Sequence, residues 1–194
     1  MKCKLCENDM QLCKSHIIPE LFYKKLYDSK HRAVGIHSEG YIEIIQKGIR
    51  ERLLCKKCEG YISKKIETPF EKQWKTVLPK SYSYDILELS GLNYTVTKLM
   101  VLTNLWRAHC SKLEIYESVK LGPYAEKIKK MITELNPGDE SKFPMWGQLV
   151  VDKDNKVHAD IITPYTQSKL HGNHMYYAIA LLPSILDIKG LDIC

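Results

Sequence analysis

The sequence predicts an α+β chain in which a cysteine-pinned N-terminal module precedes a helical segment and a small antiparallel sheet. Three observations carry that expectation. Two CxxC pairs, Cys3/Cys6 and Cys55/Cys58, bracket the first part of the chain. Helical patterns follow over residues 94–119 and 124–135. The last third turns to strand-like runs, so helices and strands are segregated rather than alternating.

After the first cysteine pair, residues 15–19 read as extended, because Ile17 and Ile18 are β-branched and Pro19 disfavours helix in the residue before it. Pro19 suits the start of a helix, and Leu21, Phe22, Leu26 and Tyr27 give an apolar face over residues 20–27. Residues 33–37 and 41–45 read as the strands of a hairpin that turns at Ser38-Glu39-Gly40. Leu53-Leu54 leads into the second cysteine pair, from which a helix is expected over residues 59–67. Thr68 and Glu71 form a TxxE capping box with Pro69 at the first helical position, predicting a new helix to about Val77.

The polar stretch 79–85 marks a boundary, giving units 1–80 and 81–194. Gly122-Pro123 ends the first long helix of the second unit, and Asn136-Pro137-Gly138 ends the next. Residues 146–151, 157–163 and 175–182 read as strands, the first two joined through Asp152-Lys153-Asp154-Asn155. His171 and His174 flank a Gly172-Asn173 turn and read as an exposed loop pair rather than metal ligands.

Composition narrows the function classes. Among 194 residues, 44% hydrophobic and 27% charged content is ordinary for a soluble domain. The longest apolar stretch, 178–186, is broken by Pro183 and Ser184 and is too short to span a bilayer. The N-terminus carries charge and cysteine instead of an apolar signal core, so the expectation is a cytoplasmic protein with no membrane partner. In that compartment seven cysteines read as metal ligands and spare thiols. The net charge of +6 is uneven: residues 1–80 hold 17 Lys/Arg against 10 Asp/Glu, and the remainder 12 against 13. A basic face beside a metal module fits a polyanion, nucleic acid above all. The same lysines also fit a solvated surface.

A CxxC places two thiolates on one tight turn, so two pairs supply the four ligands of a closed, structural Zn²⁺ site. Such a site leaves no position for substrate, and chemistry must come from residues around it. His16 in the Ser15-His16-Ile17-Ile18-Pro19 string is the first candidate, since a neutral imidazole near pH 7 suits a general base. Cys13 reads as a spare thiol, Cys110 as a core thiol, and Trp74, Trp106 and Trp146 as packing residues.

The order CxxC, extended SHIIP, hairpin, LLCxxC and helix resembles the zinc-bound HNH-type, or ββα-metal, endonucleases of treble-clef fold. The resemblance covers residues 3–67. It implies hydrolysis of phosphodiester bonds in nucleic acid, DNA ahead of RNA, in a phage or defence setting, with His16 as the base that activates water. It also implies a second, catalytic divalent cation, Mg²⁺, Mn²⁺ or Ni²⁺, held beside the base and by the helix after the second cysteine pair. The sequence departs from that pattern at three places. Ser15 stands where His or Asp often binds the cation, no Asn lies between His16 and Cys58, and Glu59 follows Cys58 where many members have His. The acidic candidates for the cation are Glu51, Glu59 and Glu67, which suit a hard metal.

Each of these residues has a plainer reading. His16 fits a buried structural histidine or a zinc ligand, Glu59 a preference for the positive end of its helix, and Glu51 a partner for Arg50 or Arg52. The alternative function is a non-catalytic, zinc-stabilised module that binds nucleic acid. Residues 81–194 have no counterpart in the nuclease pattern; a regulatory role, a homodimer contact or a protein partner is expected of them.

Overall fold

The computed structural model describes residues 1–36, 40–77, 91–149, 162–169, 174–181 and 184–192. It is α+β, with helices and small antiparallel sheets. The first sheet was not evident in the sequence. Strand β1 (Leu12–His16) pairs antiparallel with the later β4 (Arg50–Cys55), with Ser15 opposite Glu51 and His16 opposite Arg50. Leu12, Leu53 and Leu54 bury one part of this ribbon. Because β4 ends on Cys55, the pairing carries the second cysteine pair back to the first, and Lys4 N–H donates to Leu53 O at 3.0 Å to join them.

Between these strands, helix α1 (Glu20–Tyr23) has four residues, shorter than the apolar face suggested. The hairpin forms as expected in β2 (Arg32–Ile36) and β3 (Ile42–Gln46), with Val34 opposite Ile44 and Ile36 opposite Ile42. Most of its expected turn lies outside the described residues.

Helix α2 (Lys56–Ile62) opens on the second cysteine pair. The capping box at Thr68 does not start a separate helix. A π-helical turn (Ser63–Glu67) runs directly into α3 (Thr68–Val77), and Thr68 is itself helical, at φ −64° and ψ −45°. The reason is Pro69, which has no N–H and whose ring crowds the preceding turn. A widened turn just ahead of it, with Thr68 N–H bonding Ser63 O, lets the helix continue.

The boundary at 79–85 lies outside the described residues. Helix α4 (Tyr94–Cys110) follows it, capped by Asn93, whose side chain accepts from Val96 N–H at 3.0 Å. It ends well before Val119, because Ser111 is extended and the next residues form a 3₁₀ turn (Glu114–Tyr116). Helix α5 (Tyr124–Glu134) stops at Leu135 in the left-handed region, φ 53°.

The C-terminal sheet has the order β5-β8-β7-β6, all neighbours antiparallel: β5 (Met145–Leu149), β6 (Thr166–Lys169), β7 (His174–Leu181) and β8 (Ser184–Asp192). Strands at 146–151 and 175–182 were expected; β6 and β8 were not. Most of the expected strand at 157–163, the turn before it and His171 lie outside the described residues.

One core joins these parts. Ile62, Ile66, Phe70 and Trp74 belong to the same buried cluster as Leu99, Leu102, Leu105, Trp106 and Tyr177. Trp74 and Trp106 are therefore core residues. Burial lifts the Cys110 thiol to about 12, which suits a core thiol.

Candidate metal centre and histidine site

The two knuckles bring Cys3, Cys6, Cys55 and Cys58 together, with all four Sγ atoms within 4.8 Å of one another. Tetrahedral sulfurs at a Zn–S distance of about 2.3 Å lie about 3.8 Å apart. The Cys6 and Cys55 sulfurs are 3.9 Å apart, so the geometry fits a metal ion such as zinc. Local structure sets this up. Cys3 N–H bonds Asn8 O and Glu7 N–H bonds Cys3 O, folding the first knuckle, while Cys55 is the extended cap of α2 and Cys58 sits in its first turn. Burial opposes ionisation of Cys3, yet backbone N–H donors of Cys6, Cys55 and Leu5 hold its thiol down at about 7. Cys58 is pushed up by burial and by the three thiols around it. Only a cation makes four adjacent thiolates compatible. Cys13 stands outside the group.

His16 ends β1 and is neither a core residue nor a member of the cysteine cluster. Its Nε2 lies 3.0 Å from Lys47 O. A carbonyl only accepts, so Nε2 carries the proton and donates it, which leaves Nδ1 as the basic atom. Burial lowers the imidazole pKa, and Arg50 adds to the effect; the Lys47 bond and the Glu20 and Glu67 carboxylates oppose it. The net direction is down, so the ring is neutral at pH 7. Lys47 and Gly48 both lie in the left-handed region, φ 61° and 65°, and this turn aims the Lys47 carbonyl at the ring. The group that orients the imidazole is thus a main-chain oxygen.

The three acidic candidates part company. Glu51 turns to the segment after α4: its carboxylate accepts from Ser111 Oγ at 2.6 Å and Lys112 N–H at 3.0 Å. Glu59 and Glu67 meet at one group, the Arg107 guanidinium from α4. Arg107 Nη1 donates to Glu67 Oε1 at 2.6 Å, and Nη2 lies 3.4 Å from Glu59 Oε1. The other Glu59 oxygen accepts from Ser15 Oγ at 2.7 Å. Ser15 and the Arg107 side chain are wholly buried.

Sequence reasoning passed over Arg107 and the Lys47 carbonyl. A signal for the first was present: Arg107 stands inside the apolar run Leu105-Trp106-Arg107-Ala108 of a helix that is buried along most of its length. A charge in such a run calls for an opposite charge packed against it. The Lys47 carbonyl leaves no side-chain signal beyond the Lys47-Gly48 turn.

Among the described residues no helix is long and apolar enough to cross a membrane. No family model, no curated protein and no solved structure matches this chain.

Proposed function

We propose that the protein is an HNH-like endonuclease module acting on nucleic acid, with His16 as its general base and a structural zinc held by Cys3, Cys6, Cys55 and Cys58. The observation that carries this reading is the state of His16: a neutral imidazole at a strand end, fixed through Nε2 with Nδ1 left basic, on the same β1/β4 ribbon whose other end carries the four-cysteine centre. A zinc held by Cys3, Cys6, Cys55 and Cys58 would have its four positions filled by thiolates and would serve by tying the first knuckle to the end of β4 and the start of α2. His16 Nδ1 takes a proton from water as the water oxygen attacks phosphorus. The bond to the leaving ester oxygen breaks, and that oxygen takes a proton from solvent.

A catalytic divalent cation does not fit the residues as they stand. Ser15 is a neutral donor to Glu59, Glu59 and Glu67 hold Arg107, and Glu51 is engaged elsewhere. No step is routed through one. This same network favours the second reading, a zinc-braced module that binds nucleic acid without cutting it.

Incubation with supercoiled plasmid and with single-stranded RNA, in EDTA and in Mg²⁺, Mn²⁺ or Ni²⁺, tests both. The nuclease reading expects cleavage reduced at least about 100-fold in His16→Ala. Cleavage unchanged by that substitution sinks the role of His16. Salt-sensitive binding with no cleavage under any condition selects the second reading.

A further inference from the structure

Two of the three carboxylates that the HNH resemblance offers to a divalent cation, Glu59 and Glu67, already hold a cation supplied by the chain. Arg107 comes from α4, outside the resembling segment, and its side chain is 0% exposed; those of Glu59 and Glu67 are 28% and 20% exposed. A hard divalent ion needs oxygen lone pairs converging at about 2.0–2.6 Å. Here Glu59 and Glu67 converge on guanidinium N–H groups instead, and Ser15 Oγ points its proton at Glu59. A guanidinium and a divalent ion cannot share so enclosed a space, since their like charges repel strongly where water is excluded.

We propose that Arg107 is an internal cation that takes the place of the divalent ion between Glu59 and Glu67, so that the chain binds no divalent cation there. The inference rests on reading residues 15–16 and 59–67 as the HNH-like site. A second observation bears on the same side of α4. Asn104, one turn before Arg107, is fully buried with neither amide atom hydrogen-bonded, and Arg107 Nε is likewise unpaired. Spacing of three residues puts Asn104 and Arg107 on one helix face. Without the guanidinium, two carboxylates would remain with no counter-charge, near a helix face that carries an amide oxygen. That is an oxygen-rich, anionic setting of the kind hard cations take. An ion pair with a purely structural role predicts only lost stability when Arg107 is replaced; an internal cation also predicts a gain of metal binding.

The test is titration of Mn²⁺ into the zinc-loaded full-length protein, with free Mn²⁺ read by electron paramagnetic resonance. Wild type is expected to show no site tighter than about 1 mM. Arg107→Met, which keeps an unbranched apolar stem, is expected to gain one site at least about tenfold tighter, and the added Glu67→Gln to remove it. A wild-type Mn²⁺ site abolished by Glu67→Gln overturns the proposal, as does a folded Arg107→Met protein that gains none. If Arg107→Met fails to fold, the wild-type amide resonances of Glu59 and Glu67 decide: unbroadened by Mn²⁺ they support the internal cation, selectively broadened they overturn it. The nuclease reading fails separately. Absence of both cleavage and Mn²⁺ binding supports the internal cation and removes only the nuclease. Cation-stimulated cleavage lost in Glu67→Gln keeps the nuclease and removes the internal cation.

Discussion

His16 is where local chemistry and proposed function meet, and its protonation makes the sharpest residue-scale prediction. Its folded-state pKa lies below the ordinary value, chiefly because the ring is desolvated. The folded protein therefore binds fewer protons at this site than the unfolded chain does. The associated stability is fully present above about pH 6.5, the unfolded value, and is lost as pH falls through the folded pKa. Thermal unfolding from pH 7.5 to 5 should show that decline, and His16→Gln should flatten it. Equal decline in both proteins would assign the acid sensitivity to other groups. If His16 is the base, hydrolysis follows the same direction, falling as the ring takes a proton. His16 was legible in the sequence from the string that carries it. Its orienting acceptor was not, because main-chain oxygens look alike in every sequence.

At the scale of elements, the turn between β3 and β4 decides the aim of that acceptor. Gly48 sits at φ +65°, and a Cβ there would lie 2.9 Å from ring atoms of Tyr23. Gly48→Ala is therefore expected to cost about 1–3 kcal/mol, from the left-handed backbone and the ring contact together. It should also displace the Lys47 carbonyl, which now raises the His16 pKa, so the imidazole should titrate lower still. Chemical denaturation and an NMR titration of the ring would check both. An unchanged ring pKa would mean that the turn does not orient His16. The hairpin shows a different separation of local and tertiary information. Its strand periodicity was readable, yet Val34, Ile36, Ile42 and Ile44 are 65–77% exposed. Apolar alternation specifies a strand, not what covers it. The π turn gives the opposite lesson: a capping box was read where Pro69 only widens a continuing helix.

On the scale of the whole molecule, the cysteine module and the C-terminal part are bound by one core and by long-range polar contacts. Tyr61 Oη donates to Thr133 O at 2.7 Å, Gln73 Nε2 to Thr97 Oγ1 at 3.0 Å, and Lys129 pairs with Glu7. Tyr177 Oη donates to Lys120 O at 2.7 Å, tying the C-terminal sheet to the segment before α5. A fragment of residues 1–80 would lose the packing of α4 on the π turn and α3, the elements that carry the buried Ile66, Phe70 and Trp74. At about 1.5–3 kcal/mol for each large apolar side chain, that loss rivals the net stability of a small domain. The zinc-loaded fragment is expected to lack a cooperative thermal transition that the full chain shows; a sharp melt of the fragment would refute the shared-core argument. Chelation of zinc from the full chain should lower its melting temperature, and Cys13→Ser should leave its zinc content unchanged while Cys55→Ser does not.

The sequence by itself determined what depends on neighbours a few residues apart: two cysteine knuckles, the α+β order, the hairpin strands, the start of α5 after Pro123, and His16 as the reactive candidate. These follow from turn chemistry, periodicity and side-chain pKa, all of which act locally. Only the tertiary structure decided which strand pairs with β1, that Glu51 serves Ser111 and Lys112, and that Arg107 closes on Glu59 and Glu67. The strand partners lie 34 to 43 residues apart along the chain, and the side-chain partners 40 to 61. Their meeting is set by how α4 packs against the helix from the second cysteine pair. No local rule encodes that packing, because it emerges from burying many apolar faces at once.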